Sequence, residues 1–259
     1  ISLIDGKSEI SKKILSSKKP IVMIGQSFFE LKFAKDLFHK LKNFLKSNGK
    51  IEKEWNPLGV ISKDASTVGA YDLDINSSNE GKNNVLKNIQ NNSNEILFLF
   101  GQDNLRFKKK NEFIIYIGTH GDKGAEMSDL ILPSAAYTEK EAHYTNLEGK
   151  LQKVYKASFP PGEAKDDWII INELSELIKK KLFENKNELI DSMENYIKLK
   201  KEKIINNDRL RINEVEIENE KIKVNDIDYY YSNVIARASK TMSECRSNIT
   251  RSKKTGTDG

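Results

Sequence analysis

The sequence predicts an α/β fold, a mostly parallel sheet flanked by helices, and three observations carry the prediction. Short apolar runs at residues 21–24, 95–100, 113–117 and 129–132 have strand length and lack a helical period. A glycine follows the first three at once (Gly25, Gly101 and Gly118), and Pro133, with its fixed φ and missing N–H, ends the fourth. Finally, the first run leads into a long amphipathic pattern, so strand, tight turn and helix occur in the order of a βα unit.

Taken in order, residues 8–17 (SEISKKILSS) predict a short helix capped by Ser8, with Ile10, Ile14 and Leu15 on one face and Lys18-Lys19-Pro20 as its stop. After the strand at 21–24, Phe28, Leu31, Ala34, Leu37, Phe38, Leu41, Phe44 and Leu45 fall at spacings of three and four. That helix is predicted to start at a Ser27 cap and stop at Asn48-Gly49. Gly25 could cradle a phosphate at the helix start. The G-x-G-x-x-G spacing is absent, however, with Ser27, Phe28 and Glu30 in its place, so a plain turn is the better reading. Leu58, Ile61, Ala65 and Val68 predict a second helix, with Trp55 as a core anchor. A polar stretch over 75–94 contains a short helical pattern at Val85, Leu86 and Ile89, and residues 105–110 read as a turn.

The organising stretch is residues 113–152. Between its two strands the loop 118–128 holds three glycines, His120, Asp122 and Glu126, the kind of crevice loop that α/β folds use for ligands. Residues 143–145 and 151–155 form hairpin arms around Asn146-Leu147-Glu148-Gly149. Phe159-Pro160-Pro161-Gly162 makes a rigid turn. Asp166 or Asp167 then caps a helix over 168–183 whose predicted apolar face is Trp168, Ile171, Leu174, Leu177, Ile178 and Leu182. Residues 184–203 are helical and lysine-rich, and 213–224 alternate like an edge strand or extended arm. Residues 226–245 have too little core to fold alone and must wrap over this domain or a neighbour. Residues 247–259 are expected to be disordered in isolation.

Composition narrows the function classes. With 37% hydrophobic and 31% charged residues, the 259-residue chain is globular but lean in core material. Its net charge of +5 arises from 43 basic and 38 acidic residues interspersed along the chain, not from the basic stripe with aromatics that a nucleic-acid groove needs. One cysteine, Cys245, excludes an internal disulfide and any cluster held by four thiolates of this chain. No window approaches the ~20 apolar residues of a membrane-spanning helix. The first ten residues also lack the Arg-rich amphipathic face of a transit peptide, as expected of a chain trimmed on maturation or never imported.

The stretch GTHGDKGAEMSDLILPSAAYTEKEAHYTNLEGKLQ, residues 118–152, resembles the large (75-kDa) iron–sulfur subunits of respiratory NADH:ubiquinone oxidoreductase, complex I. The C-terminal half of those subunits is a molybdopterin oxidoreductase domain that in mitochondrial forms carries no molybdenum. The superfamily's pattern ADxxLP…E…N-x-E-G-R-x-Q is met here by SDLILP and by Asn146 to Gln152, while Ala135 to Lys140 narrows the match to complex I. The run PPG…DDW…LSEL, and a tail ending near Cys245, extend the likeness over most of 20–183 and over 226–245. Two residues depart from it. Lys150 stands where Arg is usual, and a point charge does not replace a planar fork at a bidentate site. Ala142-His143 replaces the Gly-Thr of the molybdenum enzymes. Both weaken the case for a bound pterin.

The resemblance implies a Rossmann-like, degenerate molybdopterin oxidoreductase domain over 1–183 and a helical and extended C-terminal tail over 184–259. It implies a non-catalytic, structural role, with no cofactor on this chain and the iron–sulfur clusters on an N-terminal half or partner chain. Partners would be that cluster-bearing part and other peripheral-arm subunits, on the matrix side of the mitochondrial inner membrane. The chain would be a separate polypeptide of a split subunit or a fragment. On the residues themselves, a metal site from His120, Asp122 and Glu126 matches no standard ligand spacing. No G-x-S-x-G elbow accompanies the serines, and Asp166-Asp167 suit a helix start. No catalytic, cofactor-binding or metal-binding residue is therefore assigned, although a vestigial ligand near Gly25 and Gly118 stays open. Two rivals are a fragment of an active molybdopterin-dependent oxidoreductase and a free-standing nucleotide-binding module.

Overall fold

The computed structural model describes residues 2–62, 64–75, 85–91, 93–103, 105, 107–206 and 228–254. In chain order they form α1 (Glu9–Ser16), β1 (Val22–Gly25), a 3₁₀ turn (Gln26–Glu30), α2 (Ala34–Ser47), β2 (Leu58–Ile61), α3 (Thr67–Asp72) and α4 (Val85–Gln90). Next come β3 (Ile96–Phe100), β4 (Phe113–Gly118), α5 (Lys123–Met127), β5 (Leu130–Pro133), β6 (Ala142–Thr145) and β7 (Leu151–Val154). Last are α6 (Asp167–Leu177), α7 (Lys186–Asn206), a 3₁₀ turn (Tyr229–Tyr231), α8 (Val234–Ala238) and α9 (Lys240–Lys254). The α/β fold with parallel strands and flanking helices is the one expected. The arm expected at 213–224 lies outside the described residues.

The chain divides into two compact units. The first comprises residues 1–75, 144–152 and 193–224. Ser8 caps α1 by accepting from the Ser11 amide at 3.1 Å. β1 and β2 pair in parallel, with Val22 opposite Leu58 and Gly25 opposite Ile61. This corrects the helix expected over 58–68. The four residues Leu58-Gly59-Val60-Ile61 are too short a run for spacing to decide, and pairing with β1 selects the strand. The long helix also begins later than its pattern, because Gln26–Glu30 turn as 3₁₀ and Ser27 caps nothing. Its predicted stop is right, with Gly49 in the left-handed region that its missing Cβ permits. Ile24, Ala34, Leu45 and Pro57 are among the buried apolar residues of this unit, while Trp55 is only half-buried, under the Lys19 ammonium at 5.3 Å. From α7, Tyr196 Oη reaches Asp74 at 2.7 Å and Lys200 Nζ reaches it at 2.5 Å.

The second unit comprises residues 76–143, 153–192 and 225–259, and holds the sheet β3-β4-β5, all parallel. β4 is central. Ile114 and Tyr116 point to one face with Leu97 and Leu99, under α5's Ala125 and Met127. Ile115 and Ile117 point to the other, under Leu132 and α6's Ile170 and Leu174. The start of β5 is tied to β4 twice: the Ile114 amide donates to Asp129 Oδ2 and the Asp129 amide to the Ile114 carbonyl, both at 2.8 Å. Backbone and Lys109 contacts hold the Asp129 carboxyl below the ordinary range, so the tie stays ionised at neutral pH.

α6 ends at Leu177, six residues short of expectation, and Lys179 takes a positive φ. Its buried side is Ile170, Leu174 and Ser175, whereas Leu177 and Ile178, assigned to the core from spacing, are exposed. The run Ile169-Ile170-Ile171 offers helical stripes on more than one side, and the sheet chooses between them. In the tail, α9 runs through Lys254.

The face of α6 is checked by substitution. Ile170→Ala, at 6% exposure, is expected to cost about 2–4 kcal/mol. Ile171→Ala, at 38% exposure, should cost less than half as much, read from urea midpoints at unchanged slope.

Candidate functional site

Parallel strands of one sheet end together, and their carboxyl ends leave a crevice. In the second unit it holds about 180 Å³. Gly101 and Asp103 enter it after β3, Gly118 and Thr119 after β4, Ser134 after β5, with Lys140, Asp167 and α8's Val234 closing the sides.

Its floor is Tyr116, a β4 side chain only 2% exposed. The phenol donates to the His120 carbonyl at 3.1 Å. Burial, reinforced by the Asp103 and Asp122 charges, pushes its pKa up and keeps it a donor. Two of the three loop glycines, Gly118 and Gly124, make room for this ring. A Cβ on Gly118 would run into the Tyr116 phenol, and one on Gly124 would meet the Gln102 carbonyl at 2.5 Å and Tyr116 Cε2 at 3.0 Å. A glycine-rich loop predicted as a ligand cradle is thus explained by a side chain of the protein itself.

Asp103, one of the lining residues, is held from the tail. Arg237 on α8 places Nε 2.7 Å from Asp122 Oδ2 and Nη2 2.9 Å from Asp103 Oδ1. Asp122 also accepts from the Lys123 amide at 2.8 Å, capping α5, a short helix inside what reads as a loop. The hydrogen bond from Arg237 is the main reason the Asp122 carboxyl titrates below its ordinary range. On the third side Asp167 accepts from Ser134 Oγ and pairs with Lys140 Nζ at 2.5 Å.

The molybdopterin expected of such a fold is bulky and polyanionic. The hollow is smaller than the ~300 Å³ at which ligand pockets usually begin. Lys140, the one cation among its described lining residues, is already held by Asp167, and Arg237, outside the lining, is held by Asp103 and Asp122. Two lining carboxylates, Asp103 and Asp167, against that one cation leave no surplus positive charge to bind phosphate. These residues do not fit the cofactor.

Other residues singled out from sequence are dispersed or employed. The His120 ring lies 3.0 Å from Thr119 Oγ1, and Asp122 is held by Arg237 and Lys123. Among the described residues no group of three or more His, Cys, Asp or Glu could hold a metal. Asn146 Oδ1 accepts from the amides of Glu148 at 3.0 Å and Lys150 at 2.9 Å, so the N-x-E-G-K motif builds the β6–β7 turn. Asp167 does begin a helix, but its carboxylate faces the crevice. Sequence reasoning missed Asp103, Tyr116, Lys140 and Arg237. Only their joint proximity to strand ends could have flagged the first three, and nothing local flags Arg237.

Parallel strands with a crevice at their carboxyl ends define an α/β domain of the cofactor-binding type. The sequence profile described as molybdopterin oxidoreductase matches residues 1–177, so the chain belongs to the molybdopterin oxidoreductase family. A second profile, the C-terminal part of the NADH-ubiquinone oxidoreductase G-subunit, matches residues 203–245. The chain is 34% identical over 258 residues to the NADH-ubiquinone oxidoreductase 75 kDa subunit of Reclinomonas americana, covering 95% of this chain and 37% of the relative. It is 30% identical to the mitochondrial 78 kDa subunit of Candida albicans, covering 92% and 34%. With the NADH-quinone oxidoreductase G-subunit of Rickettsia bellii identity is 33%, again covering 92% and 34%. The chain therefore spans about a third of the length of these relatives.

Arg237→Ala should cost about 2 kcal/mol by urea denaturation, less than the ~3–5 kcal/mol of a fully buried pair because these side chains keep some contact with water. Since the folded pKa of Asp122 is depressed, its contribution is present above the unfolded value and lost as pH falls through the folded one. Amide-exchange protection of 234–238, corrected for intrinsic rates, should fall with acidification over that window. In Asp122→Asn it should be low already at neutral pH and nearly flat.

Proposed function

We infer that this chain is a non-catalytic, architectural part of the large iron–sulfur subunit of mitochondrial complex I. The observation that carries the reading is the order of matched segments. A molybdopterin oxidoreductase match over 1–177 is followed at 203–245 by one specific to the C-terminal part of the NADH-ubiquinone oxidoreductase G-subunit. The crevice supports it, because its lining cation Lys140 and the nearby Arg237 are both spent on internal carboxylates. The chain's role is to hold the iron–sulfur-bearing part of the large subunit and neighbouring peripheral-arm subunits at fixed distances, on the matrix side of the inner membrane. Iron–sulfur clusters reside on that other part and not on this chain.

Affinity purification of the tagged chain from mitochondria, followed by native electrophoresis, tests the reading. A membrane assembly that oxidises NADH should carry the tag, and elemental analysis of the purified chain should find molybdenum far below one atom per chain. Stoichiometric molybdenum, or a free monomer outside every NADH-oxidising assembly, would overturn it.

A further inference from the structure

Parallel sheets are normally covered on both faces, because helices of their crossovers pack on each. β3 departs from this. Leu97 and Leu99 face the core, while Ile96, Phe98 and Phe100 on the opposite face are 57%, 42% and 42% exposed. Phe113, opposite Ile96 on β4, adds a fourth open side chain at 47%. The rings of Phe98 and Phe100 stack at 6.2 Å, making one continuous surface. On this face α6 packs its Ile170 and Leu174 with Ile115 and Ile117. Four large side chains, each half-open, expose on the order of 400 Å² of apolar area, the size that marks interaction sites.

β3 is also an edge. Among the described residues its one strand neighbour is β4. Exposed edges are ordinarily blunted by a lysine, a proline or a bulge, yet Ile96-Leu97-Phe98-Leu99-Phe100 carries no charge and no proline. An open edge joined to an open apolar face, with nothing that deters pairing, requires a lasting cover.

We propose that the face of Ile96, Phe98, Phe100 and Phe113 is the docking surface for the iron–sulfur-bearing remainder of the same subunit, which covers it with apolar side chains. The proposal rests on the function inferred above. The length of the relatives selects this occupant. They extend to nearly three times the span matched here, so about two thirds of such a subunit lies outside this chain. In a single polypeptide that remainder is present with every copy of this domain. A permanently satisfied contact is the kind that evolves a core-like, uncharged interface, whereas exchanging partners leave more polar ones.

The test co-expresses the whole chain with the iron–sulfur-bearing polypeptide of the same organism and measures their affinity. Phe98→Glu with Phe100→Glu should weaken binding at least tenfold, while Phe159→Glu, equally apolar and 77% exposed elsewhere, should not. Hydroxyl-radical footprinting of the unmutated chain needs no folded variant: Phe98 and Phe100 should be oxidised in the isolated chain and protected in the pair. Undiminished affinity of the double variant, or equal oxidation free and paired, would overturn the proposal. So would protection in the isolated chain, or a concentration-dependent dimer of this chain that the double variant abolishes. If the unmutated chain joins an NADH-oxidising assembly but the double variant joins equally well, the docking proposal alone fails. If the unmutated chain joins none, the functional reading itself fails.

Discussion

A strand with neighbours on both edges and layers on both faces must be apolar throughout, and β4 meets that constraint from Ile114 to Ile117. Every other placement in the second unit follows from it. β5 takes its register from the double tie at Ile114, α5 and α6 take opposite faces, and the crevice falls where β4 reaches Gly118. Tyr116 is the one β4 residue in this buried run with a polar atom, and that atom is spent on a loop carbonyl. The strand that fixes the crevice thus also fills its floor.

Around that floor, the charges cancel in place. A binding site for an anionic cofactor holds cations in reserve, aimed inward and unpaired until the ligand arrives. Here Arg237 spans two carboxylates and Lys140 is shared with a helix-start aspartate. The arrangement converts a ligand-binding geometry into an internal fastening, in which the tail helix α8 takes the position of a guest. That conversion leaves the α/β frame intact, because the frame depends on β4 and not on what occupies the crevice.

Much of the frame was legible because strand-length apolar runs next to glycine have few other readings. β1, β3, β4, β5 and the β6–β7 turn all fall where composition puts them. The failures share a cause. Residues 58–61 are too few for a period to settle, and only the presence of β1 alongside decides for a strand. Ile169-Ile170-Ile171 offers several helical faces, and only the underlying sheet decides which is buried. The site was harder still. Asp103, Asp122 and Arg237 come from three segments, and no local pattern announces a pairing made across the fold. The resemblance gave the family, whereas the reason for Gly118 and Gly124 became visible only with the Tyr116 ring in place.

The separation of Arg237 from Asp122, 115 residues along the chain, has a bearing on biosynthesis. Domains begin to fold as they leave the ribosome, N-terminal parts first. Asp103 after β3 and Asp122 in the β4–α5 loop are therefore made and able to collapse long before their arginine has been translated. During that interval the nascent domain presents an acidic hollow that no finished molecule shows. A chaperone or assembly factor that recognised this hollow would distinguish newborn chains from completed ones by charge alone.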